Sequence, residues 1–386
     1  MKAATLPDRS GLLAAIAGIA QRRSARLGDL DQSGAFPHDH IAALHAAGIL
    51  GLTAPLAFGG QGAGLALAGD VIAAIGHSDP STALVVAMHF INLATLGQEG
   101  SKWPDDRLAQ VLHSGARQGA LINALRVEPD LGTPLRGGLP ATIARQSGDG
   151  WRLSGRKIYS TGSEGLAWAI VWARTDEAIP RVGQFLVPMS AQGITINRSW
   201  DSLGLRSSAS HEVVFEDVSL PADAGVDIRL PDQWQGRADT PSAWGNVLIA
   251  ALYTGVAEAA RDWTIGFLKD RVPANLGQPL ASLPRQQEAI GRIEALIGVN
   301  RRLIRSLALE VDAGQVPSGA VSGIVKLTAT ENAITAVESC LKLAGNHAIS
   351  RRNPLERHLR DVLCGRIHSP QEDTILIQAG RAALGV

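Results

Sequence analysis

Apolar and polar positions change rhythm twice along the chain. Up to about residue 117 the sequence is rich in Ala and Leu at helical spacing, and Pro37, Pro55, Pro80 and Pro104 each fall near a helix boundary. The stretch Gly59-Gly60-Gln61-Gly62-Ala63-Gly64 reads as a flexible link between helices. From about 118 to 230, short runs of β-type residues at 141–146, 151–159, 167–173, 184–187 and 212–215 alternate with turn signals. Asp149-Gly150 is a hairpin dipeptide. These runs predict a small antiparallel barrel or sandwich. Beyond about 235 the pattern is helical again. Ile290, Ile293, Ile297, Ile304, Leu307 and Val311 recur at gaps of three, four and seven and form one stripe. A second helix is expected over 321–343. Helices, then strands, then helices predict an α+β protein with separate layers, divided at 1–117, 118–230 and 231–386.

Size and charge narrow the class. At 386 residues the chain exceeds what one core usually supports. Lys plus Arg and Asp plus Glu both number 36, so the formal charge is zero, which speaks against a nucleic-acid face or a polybasic membrane anchor. The longest apolar run, 83–96, contains His89 and Asn92 and is shorter than the ~20 residues a membrane span needs. The start, with Lys2 and an apolar run over 12–20, ends in Arg22 and Arg23 where a leader's cleavage site would stand, so an amphipathic first helix is the better reading. Cys340 and Cys364 form no metal-ligand or redox spacing and read as buried small hydrophobes. Together these features predict a soluble cytoplasmic protein.

Several chemical patterns fail. Gly60, Gly62 and Gly64 miss the dinucleotide spacing and follow no strand. Ser154-Gly155-Arg156-Lys157 has the form S-x-x-K but lacks its partner motifs. His38-Asp39-His40 has no third ligand nearby and reads as a solvated helix start.

Six other motifs carry a resemblance. They are Gly51-Leu52 through Pro55 with Phe58-Gly59-Gly60; Val127-Glu128-Pro129 with Gly132-Thr133; Asp149-Gly150-Trp151 through Gly155, Lys157, Tyr159 and Thr161; Leu203-Gly204-Leu205-Arg206-Ser207-Ser208; Val214-Phe215-Glu216-Asp217-Val218 with Pro221; and Leu343-Ala344-Gly345 through Pro354-Leu355-Glu356-Arg357 with Arg360-Asp361. In that order, over more than 300 residues, they resemble the acyl-CoA dehydrogenase superfamily. The resemblance implies a helical domain, a β-domain, and a C-terminal four-helix bundle, assembled as a homotetramer or homodimer. It implies FAD between the β-domain and the bundle, and with it fatty acid metabolism. Cofactor contacts carry over to Thr133, Tyr159, Ser160, Thr161, Arg271, Gln286 and Gly345. Tyr159 stands where an aromatic packs on the flavin, Thr161 where a hydroxyl meets the flavin edge, and Arg271 where an arginine reaches the pyrophosphate across a subunit interface. Read alone, Tyr159 and Thr161 are ordinary strand residues and Arg271 a solvated helix end.

The chain also departs from the family pattern. Val127 replaces a flavin-contacting threonine, Leu341 a glutamine, Ala344 a glycine, and Asn246 an arginine. The catalytic glutamate expected eight residues beyond Asp361 falls on Ser369, and its alternative location falls on Gly245. The leading reading is α,β-dehydrogenation of an acyl-CoA thioester, with Glu372 as the base after a three-residue insertion, hydride passing to flavin N5 and electrons to an electron-transfer flavoprotein. The bland reading of Glu372 is a carboxylate that complements a helix N-terminus. Without the insertion, His368 followed by Pro370 resembles the C-terminal motif of the superfamily's flavin monooxygenases. These take reduced flavin from a partner reductase and react it with O2 on a small sulfur, nitrogen or aromatic compound. His89 is a lesser candidate for the same cavity, because a lone histidine on an apolar helix is more often a core residue. A flavin-binding protein without turnover is the third reading.

Overall fold

The computed structural model describes residues 8–98, 101–131, 138–234 and 238–385. Lys2, Gly132 and Thr133 lie outside the described residues. Six helices come first: α1 (Arg9–Arg23), α2 (Leu27–Ser33), α3 (His38–Ala46), α4 (Leu65–Ser78), α5 (Pro80–Leu96) and α6 (Asp105–Gln118). Pro80 opens α5, where no N–H is required of it, and Pro37 and Pro104 precede α3 and α6. Helix α5 is buried along most of its length and α4 along half of it, which explains why the apolar positions of α5 run nearly unbroken. The His38-Asp39-His40 triplet is only half solvated. His40 is buried and its Nδ1 lies 2.8 Å from Asp79, which also caps α5 through the Thr82 N–H. Among the described residues no group of three or more His, Cys, Asp or Glu is arranged to hold a metal.

An eight-stranded sheet follows: β1 (Leu121–Leu125), β2 (Ile143–Ser147), β3 (Gly150–Ser160), β4 (Leu166–Thr175), β5 (Val182–Pro188), β6 (Ile194–Asn197), β7 (His211–Pro221) and β8 (Gly225–Arg229). Its order is β6-β7-β3-β2-β4-β5-β8, with β1 added on β4. Five of the seven pairings are antiparallel, but β1 and β2 both run parallel to β4. The β2–β3 hairpin turns on Gly148-Asp149, one residue earlier than the Asp149-Gly150 expected. Gly148 takes the left-handed φ of 56°. Gly150 is already in the strand, where a Cβ would stand 2.3 Å from the Leu220 carbonyl oxygen.

Five helices complete the chain: α7 (Asp239–Asp270), α8 (Pro284–Asp312), α9 (Gly319–Ala344), α10 (Leu355–Leu363) and α11 (Glu372–Leu384). The stripe read from the sequence is the buried face of α8, with Ile293, Ile297, Ile304 and Leu307 inside and Ile290 and Val311 at its edges. Helices α7, α8 and α9 pack on one another, α10 and α11 lie against α9, and α4 lies along α7. Cys340 and Cys364 are buried free thiols, as expected. No described helix is long and apolar enough to cross a membrane.

Candidate functional site

Strand β3 ends in a conformation that ordinary side chains avoid. Tyr159 has φ 55° and an exposed ring, 61% accessible, that meets Trp200 edge-on at 6.2 Å. The turn carries the chain into Ser160 and Thr161, both buried. Ser160 points back to its own strand, with its Oγ 3.5 Å from the Lys157 carbonyl. The Thr161 hydroxyl lies 3.0 Å from Ser210 Oγ, which lies 2.8 Å from Ser208 Oγ, and Asn123 donates to the Thr161 carbonyl. A flat aromatic face beside a row of hydroxyls is what a flavin ring requires of its surroundings.

The neighbouring motif residues hold this edge in place. Glu128 is buried and accepts from Ala141 N, Thr142 N, Thr142 Oγ1 and the Lys157 ammonium, which also reaches the Trp172 carbonyl. Burial alone would raise the Glu128 pKa, but Lys157 and these donors hold it below the usual carboxylate range. Lys157 therefore serves as the counter-ion of Glu128 and not as a catalytic lysine.

The second group of residues surrounds the loop between α10 and α11. His368 is half-buried, and its Nε2 lies 2.7 Å from the hydroxyl of Tyr253, which is fully buried on α7. The Lys326 ammonium, buried on α9, donates to the His368 carbonyl at 2.8 Å and the Pro370 carbonyl at 3.1 Å. Burial lowers the Lys326 pKa to about 8. Burial, and then the Lys326 charge, lowers that of His368 to about 3, so the ring is neutral at pH 7. Glu372 is the first residue of α11, exposed, within the field of Arg366. Ser369 is exposed and Gly245 is buried on α7, so neither position offers a carboxylate.

His89 does not join the site. It is fully buried, its Nε2 lies 3.0 Å from the Leu50 carbonyl, and its Nδ1 accepts from Ile122 N. Burial lowers its pKa to about 4. It is a satisfied core histidine because both ring nitrogens are occupied by backbone.

Arg271, Gln286 and Gly345 stand elsewhere in the bundle. Arg271 ends α7, exposed, and Gln286 opens α8. Gly345 closes α9 near them, since His347 packs on Phe267 in the last turns of α7 at 5.0 Å. Nineteen residues of α9 separate Lys326 from Gly345, or about 28 Å at 1.5 Å per residue. One observation fits a cofactor at the distal group: the Gln286 Oε1 is buried without a partner, in a residue only 7% exposed.

Tyr253 and Lys326 escaped the sequence reading. Tyr253 is one of two tyrosines in the chain and follows the apolar run 247–252 of α7. A lone phenol after such a run was the available signal.

Sequence models of the acyl-CoA dehydrogenase N-terminal, middle and C-terminal domains match residues 8–115, 126–218 and 247–372. The putative acyl-CoA dehydrogenase YdbM of Bacillus subtilis is 31% identical over 90% of this chain and 89% of its own. L-evernosamine nitrososynthase of a Micromonospora species is 28% identical over 96% of this chain and 89% of its own. Among solved structures, KijD3 in complex with FMN and dTDP-3-amino-2,3,6-trideoxy-4-keto-3-methyl-D-glucose superimposes with a TM-score of 0.85 at 26% identity, covering 100% of this chain and 95% of that one. Butyryl-CoA dehydrogenase from Megasphaera elsdenii gives a TM-score of 0.88 at 22% identity over the whole of both chains, a likeness of fold. The chain belongs to the acyl-CoA dehydrogenase family, whose members are flavin-dependent oxidoreductases.

Proposed function

We propose that the chain is a flavin-dependent monooxygenase within this family, acting on a small nitrogen, sulfur or aromatic compound. The observation that carries the reading is the pairing of His368 with buried Tyr253 beside Lys326, in a loop where neither base position holds a carboxylate. Dehydrogenation needs a desolvated carboxylate to take the α-proton. Here an imidazole is desolvated, the carboxylate nearest along the chain, Glu372, is exposed, and the buried Asp361 is engaged by Leu205 N. The nitrososynthase and the KijD3 complex with an amino sugar nucleotide support a nitrogen-bearing substrate.

In this reading Tyr159 packs on the flavin ring, Ser160 and Thr161 border it, and Thr133, outside the described residues, is a further proposed contact. Arg271, Gln286 and Gly345 come from a second copy, which makes the enzyme a homodimer or homotetramer and the division at 1–117, 118–230 and 231–386 its architecture. The bound cofactor, FAD or FMN, supplies in its reduced form the two electrons that split O2, one oxygen atom going to the substrate and the other to water. The chain's own part is to bind and orient. The Ser208–Ser210–Thr161 hydroxyls fix the polar edge, and His368 stands ready to hydrogen-bond the reacting group. A flavin reductase is the implied partner.

Dehydrogenation of an acyl-CoA, with Glu372 as base and an electron-transfer flavoprotein as acceptor, is the second reading. The 31% identity to a putative acyl-CoA dehydrogenase favours it. Anaerobic mixing of the oxidised holoprotein with acyl-CoAs of varied length separates the two. We expect no bleaching of the flavin, and O2-dependent oxidation of an amine or sulfide by the chemically reduced protein that His368→Gln slows at least tenfold. Bleaching by a thioester, lost in Glu372→Gln, would establish the dehydrogenase instead.

A further inference from the structure

We infer that Tyr253 and Lys326 lock His368 as a neutral imidazole carrying its proton on Nδ1, so that the ring meets the substrate as a hydrogen-bond donor and not as a base. This rests on the proposed site but goes beyond it by assigning the proton. Tyr253 lies in the middle of α7, fully buried, and His368 Nε2 is the hydrogen-bond partner of its hydroxyl, at 2.7 Å. Burial, with Cys364 and Asp361 nearby, raises the phenol's pKa well above its ordinary value, so it keeps its proton. A buried O–H without an acceptor costs about 1–3 kcal/mol. The tyrosine therefore donates to Nε2, which must be the bare nitrogen. A neutral imidazole has one N–H, and it falls to Nδ1. Nδ1 has no hydrogen-bond partner among the described residues and is not among the buried unpartnered atoms, so it faces open space.

A second proton on the ring is opposed from several sides. Protonated Nε2 would turn a donor toward the tyrosine donor. The Lys326 ammonium, held to the carbonyls on either side of Ser369, keeps a positive charge on the loop. Of the nearby carboxylates, Glu331 is engaged at 2.7 and 2.8 Å by Arg366, Asp361 accepts from Leu205 N, and Glu372 lies out on α11. None bonds to the ring to stabilise an imidazolium. A neutral N–H of this kind fits an acceptor atom on the substrate, such as a carbonyl, phenolate or hydroxyl oxygen.

Long-range 1H–15N correlation of 15N-histidine-labelled protein, as purified, reads the tautomer directly, with His368 identified by loss of its signals in His368→Gln. We expect a protonated Nδ1 and a bare Nε2, with no titration of this ring down to pH 5. In Tyr253→Phe the signals should move toward the Nε2–H form. In Lys326→Gln, which keeps a donor but removes the charge, the ring's titration midpoint should rise by at least one pH unit. A protonated Nε2 in the unsubstituted protein would overturn the inference, as would an unchanged tautomer in a folded Tyr253→Phe. If Tyr253→Phe does not fold, the unsubstituted protein and Lys326→Gln still decide. The readout needs neither substrate nor turnover. A protein that shows the Nδ1–H form but no oxygenation upholds this inference and sinks only the proposed activity.

Discussion

A histidine buried without a counter-ion is a residue whose cost depends on pH, and this chain holds two, His89 and His358, with His368 half-buried beside them in kind. In the unfolded chain an imidazole takes its proton as pH falls through about 6.5. In the folded chain burial delays that uptake to about 4 at His89 and about 3 at His358 and His368. Between those values the unfolded state binds more protons, so stability falls as pH falls. Asp361 runs the other way. Burial, against the Leu205 N–H it accepts from, raises its pKa to about 7, so the folded chain is protonated there before the unfolded one, and it offsets one histidine. The uncompensated protons predict a loss on the order of a few kcal/mol between pH 6 and 4.5. Urea midpoints at pH 7, 6 and 5 check this, and a midpoint constant over that range would contradict it. The residues of the site divide by how local their signals are. Tyr159 and Thr161 could be proposed from the sequence because the motif around them is contiguous. Tyr253 and Lys326 were not, because the group each serves lies 115 and 42 residues away. His89 was ambiguous because its two backbone partners, Leu50 and Ile122, belong to other elements.

Elements meet most tightly where side chains are missing. A Cβ on Gly255 of α7 would stand 2.2 Å from the Ala73 carbonyl oxygen, and one on Gly76 of α4 would stand 2.7 Å from that of Leu252. The two helices cross backbone to backbone there. Gly255→Val is expected to cost about 1–3 kcal/mol, read as a lower thermal midpoint, because neither main chain can yield as a flexible side chain would. Helix α4 is also capped from far along the chain, since Asp312 accepts from the N–H groups of Leu65 and Ala66. Asp312→Ala should cost about 1 kcal/mol and open the first turn of α4, visible as faster amide exchange at Leu65 and Ala66. The long helices were legible because burial on one face writes a period into their sequence, as in α8. Strands β1, β6 and β8 were not. They have five, four and five residues, too few for a period to emerge. The parallel placement of β1 and β2 beside β4 is likewise invisible locally, because no turn joins the paired strands.

At the scale of the molecule, the first, middle and last segments meet at one cluster. Arg360 on α10 makes two bonds to the Asp31 carboxylate, at 2.6 and 3.1 Å, and one to the Leu203 carbonyl. Arg206 reaches the Asp31 carbonyl, Ser207 the Leu30 carbonyl, and Asp361 accepts from Leu205 N. Arg360→Met removes the central cation and leaves the partly buried Asp31 and Glu356 facing each other. We expect it to cost several kcal/mol. Limited proteolysis of this variant should cut between α2 and α3 under conditions that leave the parent chain whole, and an unaltered digestion pattern would refute the role of the cluster. The cluster also imposes a schedule on the cell. Arg360 follows Asp31 by 329 residues, so at about 5–20 residues per second the ribosome needs roughly 15 to 65 s to deliver the one after the other. Through that interval the Asp31 carboxylate lacks the guanidinium it pairs with in the finished fold.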